Sequence, residues 1–345
     1  MAIFELGYFG IDWKKRMKTT VVGSYPVPTW LQLSSSREGL RDAMLAVIKT
    51  QEMAGIELIA DGELYRWDVN HAETNGMIDF FLRPLDGVNS DLSREQLIKW
   101  KATPGNEFRK KPPGIVVDEL NHGTLNLNDD YQLYAELTDL PKKFTVTSPY
   151  MLSKMVANDY YPSTEALVNA LGDLLGEQVA DIEADVIQVD EANVTGNTND
   201  GAMAAEGINR ILRRVKTTSA VHLCFGNYGG QTIQQGDYDL LVEFLNKLEA
   251  DHVVLEMARR PDAELAMLER IVPDIEIGLG VIDIKDNGVE SPETVARRIE
   301  EAANVIGADR IAYVHPDCGF WMLPRSVADA KMAALRAGRD LYAGG

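Results

Sequence analysis

From Phe144 to the C-terminus, short apolar runs alternate with segments of helical periodicity. A strand-then-helix order sustained over most of a chain leaves few architectures open. Phe144–Thr147 reads as a strand, and Leu167, Leu171, Leu174/Leu175 and Val179 follow at helical spacing between Pro162 and about Glu183. VIQVDE, VHLCF, VVLEM, IEIGLGVID and RIAYVHPDCG supply five more strands. Between and after them stand helices over Met203–Val215, Tyr238–Leu248, Asp262–Ile271 and Val327–Ala337. Another starts at Ser291, a natural N-cap, with Pro292 at the first helical position. Upstream, Thr20–Val22 and Ile56–Ala60 read as two further strands around a helix carrying Leu40, Met44 and Val47/Ile48, which Gly55 is placed to end. Eight strands in this order predict a (β/α)8 TIM barrel within a single domain of 345 residues. A doubly wound open sheet normally has fewer strands and needs a switch point that is not evident here. Regularity lapses between about Leu64 and Lys143: Val69–Leu82 has a helical reading, and GNEFRKKPPGIVVDEL reads as strands or a hairpin around Pro112, Pro113 and Gly114. The stretch is too long for a plain loop, so an insertion between the second and third strands is expected there.

In such a barrel the C-terminal ends of the strands form one rim, where active sites are built. Ser24, Glu63, Ser148, Asp190, His222, Glu256, Asp283 and Cys318 all fall at or just past those ends. His222 and Cys224 lie two apart in VHLCF, so strand alternation points them the same way. Cys318 is the other of only two cysteines, and the barrel would bring it to the same mouth as a third soft ligand. Glu256, at the end of VVLEM, is the natural fourth. Each has a blander reading: a buried cysteine can serve as a small hydrophobe, and Glu256 can pair with Arg259 or Arg260. His315, three residues before Cys318, is an alternative to His222, although alternation and Pro316 favour a supporting role.

Zinc held by two thiolates and a carboxylate carries about one negative charge. Such an ion is a weak generator of hydroxide but a good holder of another thiolate, so alkyl transfer to sulfur is expected rather than hydrolysis. Glu63 and Asp190 suit a cationic amine on the thiol substrate, and the backbone at Gly23 and Ser24 can receive a carboxylate. Helix capping or turn formation is the alternative for these residues. Asp61 and Asp283 would at most orient neighbouring groups, and Ser148 stands with them. The glycines of FGNYGG lack the strand-to-helix context of a phosphate cradle. His71, His122 and His252 read as surface or loop histidines.

With 34 basic and 53 acidic side chains, a formal charge of -19 speaks against nucleic acid as a partner. The first residues carry no secretory pattern, and no apolar run reaches membrane-spanning length. A cytoplasmic protein is expected, in which two thiols serve metal binding better than a disulfide.

VVGSYPVPTW, IADGE, IQVDEA, HLCFGN, LEMA, GLGVIDIK with VESPETVARRIEEA, and HPDCG together resemble, in the same order, the catalytic C-terminal barrel of the cobalamin-independent methionine synthase family. The resemblance implies zinc on His222, Cys224, Glu256 and Cys318, with homocysteine bound through Ser24 and its neighbouring backbone, Glu63 and Asp190. Full-length family members resemble two fused barrels and take their methyl group from methyltetrahydrofolate. This chain has one barrel, lacks in TSPYMLSKM a tryptophan expected near the pterin, and carries Lys285 where the longer enzymes have histidine. Those departures lead to the expectation of a single-barrel core methionine synthase using methylcobalamin, presented by a corrinoid protein. Methyltetrahydrofolate is the alternative donor. An epoxyalkane coenzyme M transferase is a second enzymatic reading, against which the amine-binding carboxylates speak, and a zinc-stabilised module without catalysis is a third.

Overall fold

The structure is a computed structural model and describes residues 17–33, 36–68, 75–102, 111–226, 236, 238–260 and 262–344. Eleven strands lie among these: β1 (Lys18–Thr19), β2 (Ile59–Ala60), β3 (Asp86–Asn89), β4 (Ile115–Asn121), β5 (Lys142–Thr147), β6 (Ala157–Asn158), β7 (Val186–Glu191), β8 (Thr218–Leu223), β9 (His252–Leu255), β10 (Glu276–Ile282) and β11 (Ile311–Pro316). Eight of them form one parallel sheet in the order β1-β11-β10-β9-β8-β7-β5-β2. A parallel bridge between Thr20 and Leu58 joins its two outer strands. The sheet therefore closes on itself, and the expected (β/α)8 barrel is the fold found.

The helices form where the sequence signals them. Arg37–Ala54 starts at Ser36, whose side chain accepts the Gly39 N–H, and stops at Gly55, which adopts φ 78° and returns its N–H to Gln51 and Glu52. Only glycine takes that left-handed position without strain. Pro292–Ile306 has the expected Ser291 cap, its hydroxyl accepting from Thr294. The helices expected over 238–248 and 262–271 shrink to tight turns: a 3-10 turn at Tyr238–Leu241, one α turn at Val242–Leu245, and 3-10 turns over Asp262–Arg270. Asn246 explains part of the shortening. Its side-chain amide donates to the Arg270 carbonyl and accepts the Val272 N–H, tying the end of this turn to the segment that leads into β10.

Between β2 and β5 the chain builds a small separate sheet, β3 antiparallel to β4 and β4 parallel to β6. Since β6 follows β5, two successive βα connections contribute to that sheet. Helical order over the expected Val69–Leu82 segment is confined, among described residues, to Asp79–Leu82. Helix Leu127–Ala135 packs between Arg37–Ala54 and Thr164–Val179, the place of the barrel's second outer helix. Residues 69–74, 103–110 and 227–235 lie outside the described residues, and with them His71, part of the hairpin expected near Pro112 and the glycines of FGNYGG after Gly226. No described helix is long and apolar enough to cross a membrane.

Candidate metal and thiol site

The barrel interior is polar toward the C-terminal ends of its strands. Val22, Leu58, Val186, Ala220 and Val254 pack together with Tyr313 inside it. Alternation then places Gln188 and Asp190, His222 and Cys224, and His252 and Glu256 on the same inward faces as Val186, Ala220 and Val254.

His222, Cys224 and Cys318 are brought together. One ligand atom from each lies within 4.8 Å of the others. The sulfurs stand 3.9 Å apart, far beyond a disulfide bond. Two thiolates each about 2.3 Å from a tetrahedral zinc stand about 3.8 Å apart, so the spacing fits a shared ion. The Val254 carbonyl, 3.0 Å from Nδ1 of His222, can only accept, so Nδ1 carries the proton. Nε2 is left with a free lone pair and no partner in a buried position, the tautomer a metal needs. The hydrogen bond from Cys318 holds the Cys224 thiol well below its ordinary range, and the same contact pushes Cys318 well above it. The donor set fits zinc.

Glu256 lies outside that cluster. Its Oε1 is 2.5 Å from the Lys285 ammonium and its Oε2 accepts the Phe225 N–H at 3.3 Å. The alternative partners named from sequence are engaged elsewhere: Arg260 with Glu264 at 2.7 Å and Arg259 with Asp283 at 3.7 Å. His315 is buried with Nδ1 2.7 Å from the Pro316 carbonyl, its ring against Gly278, and it too stands outside the cluster.

Across the mouth, β1 leaves the ladder after Thr20. The carbonyls it would strand are taken by two side chains from inside the barrel, Lys143 Nζ on Val21 at 2.7 Å and Gln188 Nε2 on Val22 at 3.0 Å. This presents Gly23 and Ser24 to the opening. A Cβ on Gly23 would sit 2.2 Å from Oε1 of Glu63, so glycine is what lets that carboxylate approach. Glu63 accepts the Thr145 hydroxyl at 2.8 Å and pairs with Arg66 at 3.2 Å. Arg66 also donates to the Thr145 carbonyl and lies over the Phe81 ring at 5.0 Å. Cys318 is linked to this side as well: the Phe320 N–H donates to the Ser24 carbonyl at 2.8 Å, and a Cβ on Gly319 would collide with the Ser24 hydroxyl.

Asp190 accepts from Gln188 at 2.7 Å. Burial, and then the neighbouring Glu63, push its carboxyl up to about 7. Such a group gains most from a cationic partner. Asp61 accepts the Glu63 N–H at 2.7 Å through one oxygen, while the other is buried without a partner, and burial raises it to about 7. Asp283 accepts the Lys285 N–H at 2.8 Å, a turn that orients Lys285. Ser148 caps helix Pro149–Met155 and donates to Glu191, so its hydroxyl is committed to structure.

Sequence reasoning did not single out Arg66, Thr145, Lys143, Gln188 or Asp317 for the mouth. Arg66 carried a signal, three residues after Glu63. Lys143 carried none: a lysine opening a strand reads as exposed, yet it is fully buried, and burial lowers it to about 7. His252, read as a surface histidine, is likewise buried, within β9 and beside Tyr313 at 4.8 Å. Asp317 secures the Met257 and Ala258 N–H groups at 2.9 and 2.8 Å, holding the turn after β9 against the one bearing Cys318.

Residues 17–340 match the family model described as the catalytic domain of cobalamin-independent synthase. The chain is 29% identical over 342 residues to the methionine synthase of Thermococcus kodakarensis, covering 94% of this chain and 93% of that protein. It is 26% identical over 336 residues to that of Pyrococcus furiosus, covering 92% and 90%. Among solved structures, a B12-independent methionine synthase from Shewanella sp. W3-18-1, in complex with selenomethionine, superposes with a TM-score of 0.77 at 22% identity, over 94% of this chain and 97% of that one. The family match overturns the expectation of methylcobalamin as donor and of a corrinoid protein as partner, since the family is described as cobalamin-independent. That expectation leaned on the single barrel, but relatives of similar length carry the methionine synthase name.

Proposed function

The chain belongs to the family of cobalamin-independent synthase catalytic domains, and from that premise we propose that it methylates the thiol of homocysteine to make methionine, with methyltetrahydrofolate as donor. The observation carrying this reading is the convergence of His222, Cys224 and Cys318 within 4.8 Å at the barrel mouth. These three would hold zinc, with Glu256 adjacent as the fourth ligand. Bound there, the ion would keep an incoming thiol deprotonated and nucleophilic at neutral pH.

The rest is done by side chains of the chain itself. Asp190 and Glu63 receive the ammonium group of homocysteine, and the backbone at Gly23 with the Ser24 hydroxyl receives its carboxylate. Arg66 and Thr145 keep Glu63 aimed at the mouth, and Asp61 fixes the backbone that carries it. Two-ended recognition of an amino acid sets the direction in which its side chain runs, here toward Cys224 and Cys318. A sulfonate thiol without an amine would leave Glu63 and Asp190 unanswered. The cytoplasm suits a site that depends on two reduced thiols.

The test is to supply zinc-loaded protein with homocysteine and methyltetrahydrofolate, with methylcobalamin in a parallel reaction. Methionine is expected from the folate alone. Failure of the folate to yield methionine would refute the donor assignment, and failure of homocysteine to bind would refute the substrate.

A further inference from the structure

Lys285 stands at the metal centre with no role assigned to it so far. Its side chain is 1% exposed and that of Glu256 3% exposed, and their charged atoms are 2.5 Å apart. Two buried long side chains in contact lose both hydration and rotamer freedom, so the pair persists only where each charge needs the other. Lys285 is also held from behind: its own N–H donates to Asp283 at 2.8 Å, and the Asp283 N–H donates to Glu290 at 2.7 Å. The ammonium is thereby fixed against one oxygen of Glu256. The other oxygen faces the Phe225 N–H, one residue past Cys224.

Groups that hold a metal ligand in place govern affinity alongside the ligand itself. We propose that Lys285 is a positioning residue that fixes Glu256 beside the thiol pair, thereby raising the affinity of the site for zinc. This rests on the zinc reading above. Without Lys285, Glu256 loses the contact that orders its side chain, and a ligand that must be ordered on binding holds the metal more weakly.

Zinc affinity, measured by competition with a chromophoric chelator on the full chain, tests this apart from turnover. Lys285→Met should lower affinity about tenfold or more, the range in which groups supporting a metal ligand act. Lys285→Arg should restore most of it. If Lys285 acts through Glu256, adding Lys285→Met to Glu256→Gln should weaken binding no further than Glu256→Gln alone. That double variant leaves no unpaired buried charge, so it keeps the test usable should Lys285→Met fail to fold. Unchanged or tighter binding in Lys285→Met, or additive losses in the double variant, would overturn the proposal. Wild-type protein that takes up no zinc would instead overturn the metal reading on which it rests, a result visible before any substitution.

Discussion

On the side of the mouth formed by β8, β9 and β11, His222 presents a buried nitrogen with no partner and two cysteine sulfurs face each other at 3.9 Å. On the side formed by β1, β2 and β5, Glu63 already meets Arg66 and Thr145, and the Val21 and Val22 carbonyls already have Lys143 and Gln188. The first side gathers three donors of the kind that bind a metal, with few partners of their own. The second is largely satisfied from within, with one oxygen of Asp61 a buried exception. Metal removal should therefore disturb the two sides very differently, and substitutions should separate loss of metal from loss of substrate or of stability.

The largest effect is expected on the first side. Cys318→Ser should lower zinc affinity by orders of magnitude, because a thiolate ligand is lost outright. Zinc content after dialysis checks this, and an undiminished content would remove Cys318 from the site. On the satisfied side, Arg66→Met should leave zinc content intact yet destabilise the fold by about 3–5 kcal/mol, since a buried carboxylate loses its partner. Denaturant midpoints read that directly. A loss below about 1 kcal/mol would mean that the pair behaves like an exposed one.

A pH dependence is expected next. Burial lifts Asp61 from 3.8 to about 7, so between those values the folded protein holds a proton that the unfolded chain releases. The contribution of Asp61 to stability is most favourable below pH 3.8 and diminishes as pH rises to about 7. Asp61→Asn should flatten this part of the stability profile, and an unchanged slope across the window would show that other groups govern it. The smallest effect is expected for Ser148→Ala. Loss of the cap and of the bond to Glu191 should cost about 1–2 kcal/mol with the KM for homocysteine unchanged. A raised KM would return Ser148 to the substrate site.

Much of this mouth is legible one strand at a time. The H-x-C spacing of His222 and Cys224, the strand-end position of Glu256 and the distant Cys318 each follow from local alternation plus the expectation of a common rim. The small sheet was harder to read. β3 has four residues and β6 only two, so a weak periodic signal at both partners of β4 meets a pairing that spans two connections. The polar barrel interior was hidden for another reason: Lys143 and His252 look exposed by residue type, and what buries them is the ring of strands.

The order of strands and helices was settled by the chain on its own, because periodicity, caps such as Ser36 and Ser291, and stops such as Gly55 act within a few residues. Partner choice was settled only by the closed barrel. Glu256 meets Lys285 rather than its near neighbours Arg259 or Arg260, and Gln188 reaches a carbonyl 166 residues away. Side chains distant in sequence become neighbours once eight strands share one interior, and which charge then faces which depends on strand register and tilt, quantities no local pattern encodes.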